Sequence, residues 1–432
     1  MSPMFQALAI RNYRVYMAGS IISNTGTWMQ RVAQDWLVLQ LTHSGTALGI
    51  VTGLQLLPAL LLSPIAGVVA DRVPKRTILR FTQLAMAAPA AMLGMLAVTG
   101  VVQTWHVYVL AFVFGIGTAF DAPARQSFVV EIVGRDDLAN AVGLNSASFN
   151  VARMIGPALA GVLIAALGSG TRAAGWVILV NAISYVAVFI SLQLLDGTRL
   201  RPSPIVGTRK GAVREGVTYV RSRPDLVLIM CCVFFVGTFG MNFQMTSALM
   251  ATEVFHKGAG EYGLLASIMA FGSLGGALLA ARRTKPRLRF VVLAGGAFSL
   301  VEIASGLMPS YVTFAAILPV LGLCALTMVT SANAMIQMTS SPMMRGRVAA
   351  LYLMIFLGGS PFGSPLVGWV GEAFGARWML IGGGAVSLVG IIVATAWYAS
   401  REDVQNDELR TAARNLPWGY ARRANIHGVQ AH

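Results

Sequence analysis

The stretch GVVADRVPKRTIL, residues Gly67 to Leu79, decides the fold of this chain. It places an aspartate, a proline and several basic residues between two long apolar segments, in a region that is otherwise almost continuously hydrophobic. Because charged groups are costly in the hydrocarbon core of a bilayer, we expect this stretch to lie at a membrane surface. The segments on either side of it are then expected to cross the membrane.

The composition independently predicts a membrane protein. The 432 residues are 56% hydrophobic and only 11% charged, whereas soluble proteins carry roughly 25% charged residues. Since a bilayer core about 30 Å thick is crossed by about 20 apolar residues in a helix, the length accommodates about a dozen helices. The net charge of +15 is then expected to reflect basic loops at the lipid surface, with no nucleic acid as a partner.

The apolar runs divide the chain into two sets of six predicted spans. We predict an N-terminal half at 1–196, which begins with a short interfacial helix, a basic linker at 197–224, a C-terminal half at 225–399 and a polar tail at 400–432. The predicted spans are 15–41, 45–71, 77–99, 104–123, 138–167, 174–195, 226–251, 260–281, 289–308, 311–334, 346–373 and 376–398. Residues 124–137 are predicted to form a polar cytoplasmic loop.

The basic residues predict the orientation of these spans. With both termini in the cytoplasm, all but five of the 32 lysines and arginines fall on the cytoplasmic side. Arg172, Lys257 and Arg377 fall outside, and Arg31 and Arg153 lie within spans. This bias follows the positive-inside rule, and a shift by one helix would invert it. The predicted location is therefore the inner (plasma) membrane, with both termini cytoplasmic.

The opening stretch also resembles a family signature. Its pattern Gly-x-x-Ala-Asp-Arg-x-Pro-Lys-Arg is similar to the motif between the second and third helices of the major facilitator superfamily. A weak internal repeat agrees, because Gly26 and Gln30 of the first span match Gly240 and Gln244 of the seventh. The resemblance implies an all-α membrane protein with 12 transmembrane helices, arranged as two six-helix halves related along the membrane normal.

In the family that it resembles, the motif acts as a cytoplasmic gate. The resemblance implies that Asp71 faces the eleventh helix in the outward-facing state, while Gly67 lets the two helix backbones approach. We expect Arg72 and Arg76 to bridge Asp71 to Asp121 at the end of the fourth helix. The alternative is a topology anchor that only binds lipid headgroups.

The fifth span carries a second pattern, NVARMIGPALAGVL. Its Gly156-Pro157 pair and Gly161 resemble the antiporter-associated motif of drug and metabolite exporters. A proline removes a backbone hydrogen bond and bends the helix, and small residues permit close packing, so this bend is expected to help seal the periplasmic side. The match is partial, because Asn150 and Arg153 stand where the family has glycines.

Charged residues inside the spans point to substrate binding and ion coupling. Arg31 and Asp35 share one face of the first span, and Arg153 lies near the middle of the fifth, one turn after Asn150. We predict that Asp35 carries the coupled proton; the alternative is an intrahelical Arg31–Asp35 pair that only satisfies itself. Glu302, in the ninth span, is a further candidate, for which a structural role or a lipid-facing protonated acid is the competing interpretation.

The first and seventh helices line the central cavity of the fold that this chain resembles. That resemblance makes their polar and aromatic residues candidates for contact with substrate, although ordinary helix packing is the alternative for each. They are Asn24, Trp28 and Gln30 in the first span and Asn242 and Gln244 in the seventh.

Longer segments, including AFDAPARQSFVVEIV and LANAVGLNSASFNVARMIGPALAG, look like the branch that contains the bacterial enterobactin exporter and related macrolide and multidrug effluxers. One departure concerns the fourth helix, where Ala111 stands in place of the arginine of drug–proton antiporters. The resemblance implies a monomeric secondary transporter that exports a small amphipathic molecule, a drug or a siderophore-like metabolite, by proton-coupled alternating access. The alternatives are an importer or lipid flippase on the same fold, or a non-transporting membrane sensor.

No enzymatic constellation, cofactor or metal site is expected. The five histidines are scattered, and no Gly-x-x-x-x-Gly-Lys-Ser/Thr loop for ATP occurs. Cys231, Cys232 and Cys324 all lie inside apolar runs, which predicts buried small side chains rather than disulfides or metal ligands.

Overall fold

The computed structural model describes residues 3–134, 136–201, 212–281 and 287–414, and within these ranges all regular structure is helical. A short 3-10 helix, Pro3–Ala9, precedes the first half and is tied to the fifth helix, because the Ala7 amide donates to Asn140 Oδ1 at 3.0 Å. The six helices of the first half are α1 (Arg11–Thr42), α2 (Gly45–Arg72), α3 (Lys75–Thr99), α4 (Thr104–Val133), α5 (Leu138–Ala166) and α6 (Thr171–Leu194).

The second half has the same number of spans, two of them interrupted. Its linker helix is α7 (Ala212–Arg221), and its spans are built from α8 (Pro224–Phe235), α9 (Phe243–Leu249), α10 (Ala259–Ala281), α11 (Leu288–Gly306), α12 (Tyr311–Thr339), α13 (Arg345–Gly358), α14 (Ser360–Phe374) and α15 (Ala376–Arg414). Helices α8 and α9, with a π turn after each, form the seventh span, and α13 and α14 form the eleventh.

The structure confirms the predicted multi-pass helical membrane fold. Among the described residues, eleven spans are long and apolar enough to cross a bilayer, and α1, with 32 residues, supplies the twelfth crossing although it is more polar. The predicted loop at 124–137 is wrong over most of its length, because α4 continues to Val133. Helix α15 likewise runs on into the predicted tail as far as Arg414, and the remainder of that tail lies outside the described residues.

The two halves touch at one end of the bundle and separate at the other. We call the end at which α1 begins and α15 ends the terminal end. At the opposite end, α2 packs on α14 so closely that a Cβ at Gly45 would lie 2.8 Å from the Gly368 carbonyl oxygen. Helices α5 and α10 meet there too, since a Cβ at Gly161 would lie 2.6 Å from the Ala259 carbonyl oxygen.

At the terminal end the halves leave a cleft. A Cβ added at Gly67, in the last turns of α2, would meet no atom of the described residues within 4 Å, and the same holds at Gly346 at the start of α13. The prediction that Gly67 lets two backbones approach is therefore not met in this conformation, in which its helix face looks into open space.

Candidate functional site: the cleft between the halves

A buried hydrogen bond between the two halves closes the cleft at its inner limit. The Tyr262 hydroxyl of α10 donates to Asp35 Oδ2 of α1 at 2.8 Å, and Asp35 is only 8% exposed. Among the described residues Asp35 makes no ion pair within 4.0 Å, so the alternative of a self-satisfied Arg31–Asp35 pair is wrong for this conformation. Asp35 instead forms its hydrogen bond with Tyr262 of the other half.

Arg31 lies beside this contact and faces the cleft. Its side chain is exposed, its Nη1 lies 3.5 Å from Gln244 Oε1 of the other half, and its guanidinium lies 4.9 Å from the centre of the Trp28 ring. Trp28 in turn packs edge-on against Phe149 of α5 at 5.7 Å between ring centres. The structure therefore brings Arg31, Trp28 and Gln244, which the sequence proposed separately, into one cluster.

Gln30 and Asn242 are not on the cleft wall. Gln30 is 4% exposed and accepts a 2.5 Å hydrogen bond from Asn181 inside the N-terminal half. Asn242 is also buried: its Nδ2 donates to the Thr238 carbonyl at 2.8 Å, and its Oδ1 accepts from Ser364 at 2.6 Å. Gln30 through its oxygen, and Asn242 through both of its amide groups, form hydrogen bonds inside their own halves, so neither is placed to contact a substrate in this conformation.

A cavity of about 380 Å³ lies within the N-terminal half. Its walls combine amide and hydroxyl groups with aromatic rings, which suits an amphipathic ligand. Three predicted residues line it, namely Asn24, Asn150 and Asp121, as do Thr27, Phe114, Thr118, Arg125, Gln126, Asn145, Phe149 and Tyr185.

Asp121 belongs to this cavity and not to the motif loop. Its Oδ1 accepts from Thr82 and Gln83 at 2.8 Å each, and its Oδ2 pairs with Arg125 at 2.8 Å. The sequence predicts Arg125 in a cytoplasmic loop, but α4 continues through it. The i,i+4 spacing of Asp121 and Arg125 in AFDAPARQSF is the signal for this continuation, because it joins the two charges on one helix face.

The predicted bridge from Asp71 to Asp121 is wrong. Arg76 turns instead to the end of α6, where Nε donates to the Leu192 carbonyl at 2.8 Å and Nη2 to the Leu195 carbonyl at 2.9 Å. These are the unpaired carbonyls that a helix C-terminus offers to a cation. Asp71 and Arg72 make no hydrogen bond or ion pair with the described residues, so the gate that Asp71 is expected to form stays a prediction for the other conformation.

The bend pattern of α5 contacts both neighbours. Gly156 lies against α1, where a Cβ would come within 2.7 Å of the Trp28 Cβ, and Gly161 lies against the start of α10. Pro157, between them, approaches Gly263 of α10 through its carbonyl. Pro157 and Gly161 therefore stand at the closed interface between the halves, whereas Gly156 packs within the first half; the seal that the bend is expected to form stays a prediction.

Arg153 and Glu302, both inside spans, make no side-chain hydrogen bond or ion pair with the described residues. Arg153 has buried Nε and Nη2 atoms with no hydrogen-bond partner among the described residues. Glu302 is 1% exposed, so the competing interpretation of a lipid-facing acid is wrong; it points inward from α11, and its Oε2 also has no partner there.

Sequence reasoning missed a second polar contact across the closed end. Glu372 of α14 accepts from the Ser44 hydroxyl at 2.6 Å and from the Thr46 amide at 3.2 Å. Ser44 is the N-cap of α2, so the carboxylate lies at the positive end of that helix dipole. Nothing in the local sequence around Glu372 indicates this partner, because it lies more than 300 positions away.

Comparison with known proteins agrees with this architecture. The family model described as "Transmembrane secretion effector" matches residues 2–415. The chain is 26% identical over 263 residues to the staphyloferrin A transporter of Staphylococcus aureus, a match that covers 60% of this chain and 64% of that relative. It is 28% identical over 373 residues to the multidrug efflux pump Tap of Mycolicibacterium fortuitum, covering 82% of this chain and 88% of Tap.

Solved structures show the same fold. The crystal structure of a bacterial homologue of the human lysosomal transporter Spinster, in an inward-facing and unoccupied conformation, superposes with a TM-score of 0.68. The sequences are 16% identical, and the match covers 92% of this chain and 97% of that one. From the family match over nearly its whole length and this fold, the chain belongs to the transmembrane secretion effector family of the major facilitator superfamily.

Proposed function

We propose that this protein is a secondary exporter that moves a small amphipathic molecule out of the cell by alternating access. The observation that carries the proposal is the asymmetry of the bundle. Its halves are joined at the opposite end by Asp35–Tyr262 and by Glu372 at the start of α2, while the terminal end holds an open cleft. A transporter that exposes its site to one side at a time needs this conformation and a second one, in which the terminal end is closed and the opposite end is open.

The direction of the open cleft follows from the predicted orientation. With both termini in the cytoplasm of a bacterial inner membrane, the cleft faces the cytoplasm, the side from which an exporter takes its cargo. The two six-helix halves, 1–196 and 225–399, then rock about the site as units, with 197–224 as the connecting linker and 400–432 as the cytoplasmic tail. A monomer surrounded by lipid is sufficient for this cycle.

The proposed cargo is a drug or a siderophore-like metabolite. Support comes from the relatives, a siderophore transporter and a multidrug efflux pump by name, and from the cavity wall, which combines amides and hydroxyls with Phe114, Phe149 and Tyr185. Arg153 does not line this cavity, and its unpaired N–H donors are buried. It remains a proposed donor to carbonyl or hydroxyl oxygens of the cargo in another step of the cycle. No chemical conversion of the cargo is involved, in keeping with a family of transporters.

Proton coupling is proposed to run through Asp35. Its carboxyl group accepts a hydrogen bond from Tyr262, and this bond must break when the opposite end opens. The carboxyl group therefore has a different environment, and so a different affinity for a proton, in the two conformations. A ligand shifts a conformational equilibrium only through such a difference in affinity, and a proton on Asp35 is such a ligand. The absence of an arginine at Ala111 leaves Asp35 as the proposed carrier in the first half.

Everted membrane vesicles with an acidified interior test this function. Macrolides, dyes and catecholate siderophores are added in turn while a pH-sensitive probe reports the loss of the gradient. Substrate-dependent alkalinisation that requires this protein is the expected result. If folded protein gives no response to any compound while a labelled compound still crosses, an uncoupled flippase or importer is indicated; if none crosses, the exporter proposal fails for these substrate classes.

A further inference from the structure

Glu302 occupies a site built by glycines of two other helices. It lies in α11, and its Oε2 is 2.9 Å from where a Cβ of Gly240, in the seventh span, would lie. Its Oε1 is 3.4 Å from the corresponding position of Gly383 in α15. Side chains at either glycine would crowd the carboxyl group, so the pocket that holds Glu302 depends on both glycines.

No described residue forms a hydrogen bond or ion pair with this carboxyl group. On α15, Arg377 bonds the Gly306 carbonyl, which lies one helical turn, about 6 Å, beyond Glu302 along α11. The other titratable side chains on α11 and on the helices packed around it form no hydrogen bond or ion pair with this carboxyl group. Among the described residues they are Arg289 on α11, Asp225, Cys231 and Cys232 on α8, Tyr311 and Cys324 on α12, and Tyr398 and Arg401 on α15.

The surroundings favour a neutral carboxylic acid over a carboxylate. An ionised carboxylate that is buried without a partner loses its hydration and gains nothing in return. Gly240 also ends the π turn at which the seventh span breaks, and the C-terminal end of a helical segment repels negative charge. A proton on Glu302 removes both costs.

The break beside Glu302 is connected to the closed end of the bundle. Asn242 at the break accepts a hydrogen bond from Ser364 of α14, and Gly363 of α14 packs against Thr238 in the π turn. Helix α14 also carries Glu372 to the start of α2. Helix α14 therefore contacts both the start of α2 and the segment that covers Glu302.

We propose that Glu302 is a second proton-binding site, loaded in this conformation and emptied when movement of α14 opens the break in the seventh span. Discontinuous helices of this kind hold coupling ions in other transporters. In the release step the O–H bond of the carboxyl group breaks, the electron pair stays on the carboxylate oxygen, and the proton passes to water admitted at the break. The inference rests on the proposed transport cycle and adds a second proton to it.

Infrared spectroscopy of the purified protein tests the loading directly, without any substrate. The wild type is expected to show the carbonyl stretch of a buried protonated carboxylic acid, and Glu302→Gln is expected to lose it. Glu253→Gln, at an exposed acid of the same half, is the matched control and should leave the band unchanged. Asp35→Asn identifies any part of this carbonyl band that comes from a protonated Asp35 in the first half.

A spectrum of Glu302→Gln identical to wild type in this band would overturn the proposal. If Glu302→Gln does not fold, Glu302→Asp serves instead, and a displaced carbonyl band is the supporting result while an unmoved one refutes it. With a substrate found in the vesicle assay, the protons moved per substrate should fall about twofold in Glu302→Gln. An unchanged ratio overturns the role in coupling, and the infrared result stays independent of whether transport is found.

Discussion

Replacing Tyr262 with phenylalanine removes a single oxygen atom and tests whether its hydrogen bond helps to keep the opposite end of the bundle closed. The Tyr262 hydroxyl donates to Asp35 at 2.8 Å across the halves, and this bond cannot survive opening of the opposite end. A buried hydrogen bond to a charged group contributes about 1.5–3 kcal/mol. Its loss should shift the ratio of the two conformations about ten- to a hundredfold toward the form that is open at the opposite end.

Distances between spin labels at the opposite end measure this ratio. Cysteines at Val101, in the first half, and Leu307, in the second, carry the labels, in a background lacking Cys231, Cys232 and Cys324; Val101 and Leu307 are both exposed. Tyr262→Phe should add or enlarge a population with a longer separation.

The chain offers a matched control for the loss of one hydroxyl. Tyr311→Phe also removes a hydroxyl near the same end, but the Tyr311 bond to the Glu261 carbonyl lies within the second half. Its distance distribution should equal that of wild type. If Tyr262→Phe and Tyr311→Phe give the same distribution, the reasoning about this bond is refuted.

Three further substitutions follow from the same geometry. Glu372→Gln removes the charge at the start of α2 and should enlarge the same long-distance population about two- to fivefold, from about 0.3–1 kcal/mol of charge–dipole energy; a shift equal to that of Glu253→Gln would rule this out. Asp35→Asn should abolish the pH dependence of efflux, and an ordinary pH profile in the variant would exclude Asp35 as the carrier. Asp71→Asn should keep expression but cut transport, which requires the conformation closed at the terminal end; unaltered rates would leave only the anchoring role.

The order and number of the spans could be predicted from the sequence because the bilayer dictates them. A span needs a run of apolar residues of a given length, and the cost of burying charge places basic loops at its surface, so local composition is sufficient. The family could also be identified without the tertiary structure, since its motif around Asp71 is one continuous stretch of the chain. The predicted end of α4 is too early, because the polar stretch DAPARQ is interpreted as a loop. The same stretch also suits a helix whose charged side chains pair with each other.

Which side chains meet was decided only by the tertiary structure. In a membrane both the lipid and the protein interior are apolar, so a helix can be apolar all round and its sequence does not tell which face points inward. The partners of Asp35, Arg76, Glu372 and Glu302 therefore depended on how the helices pack. The sequence determined that this chain forms a bundle of twelve helices with charges in its interior; the packing of the two halves decided that Asp35 joins them, that Arg76 caps α6 and that Glu302 stands alone beside a broken helix.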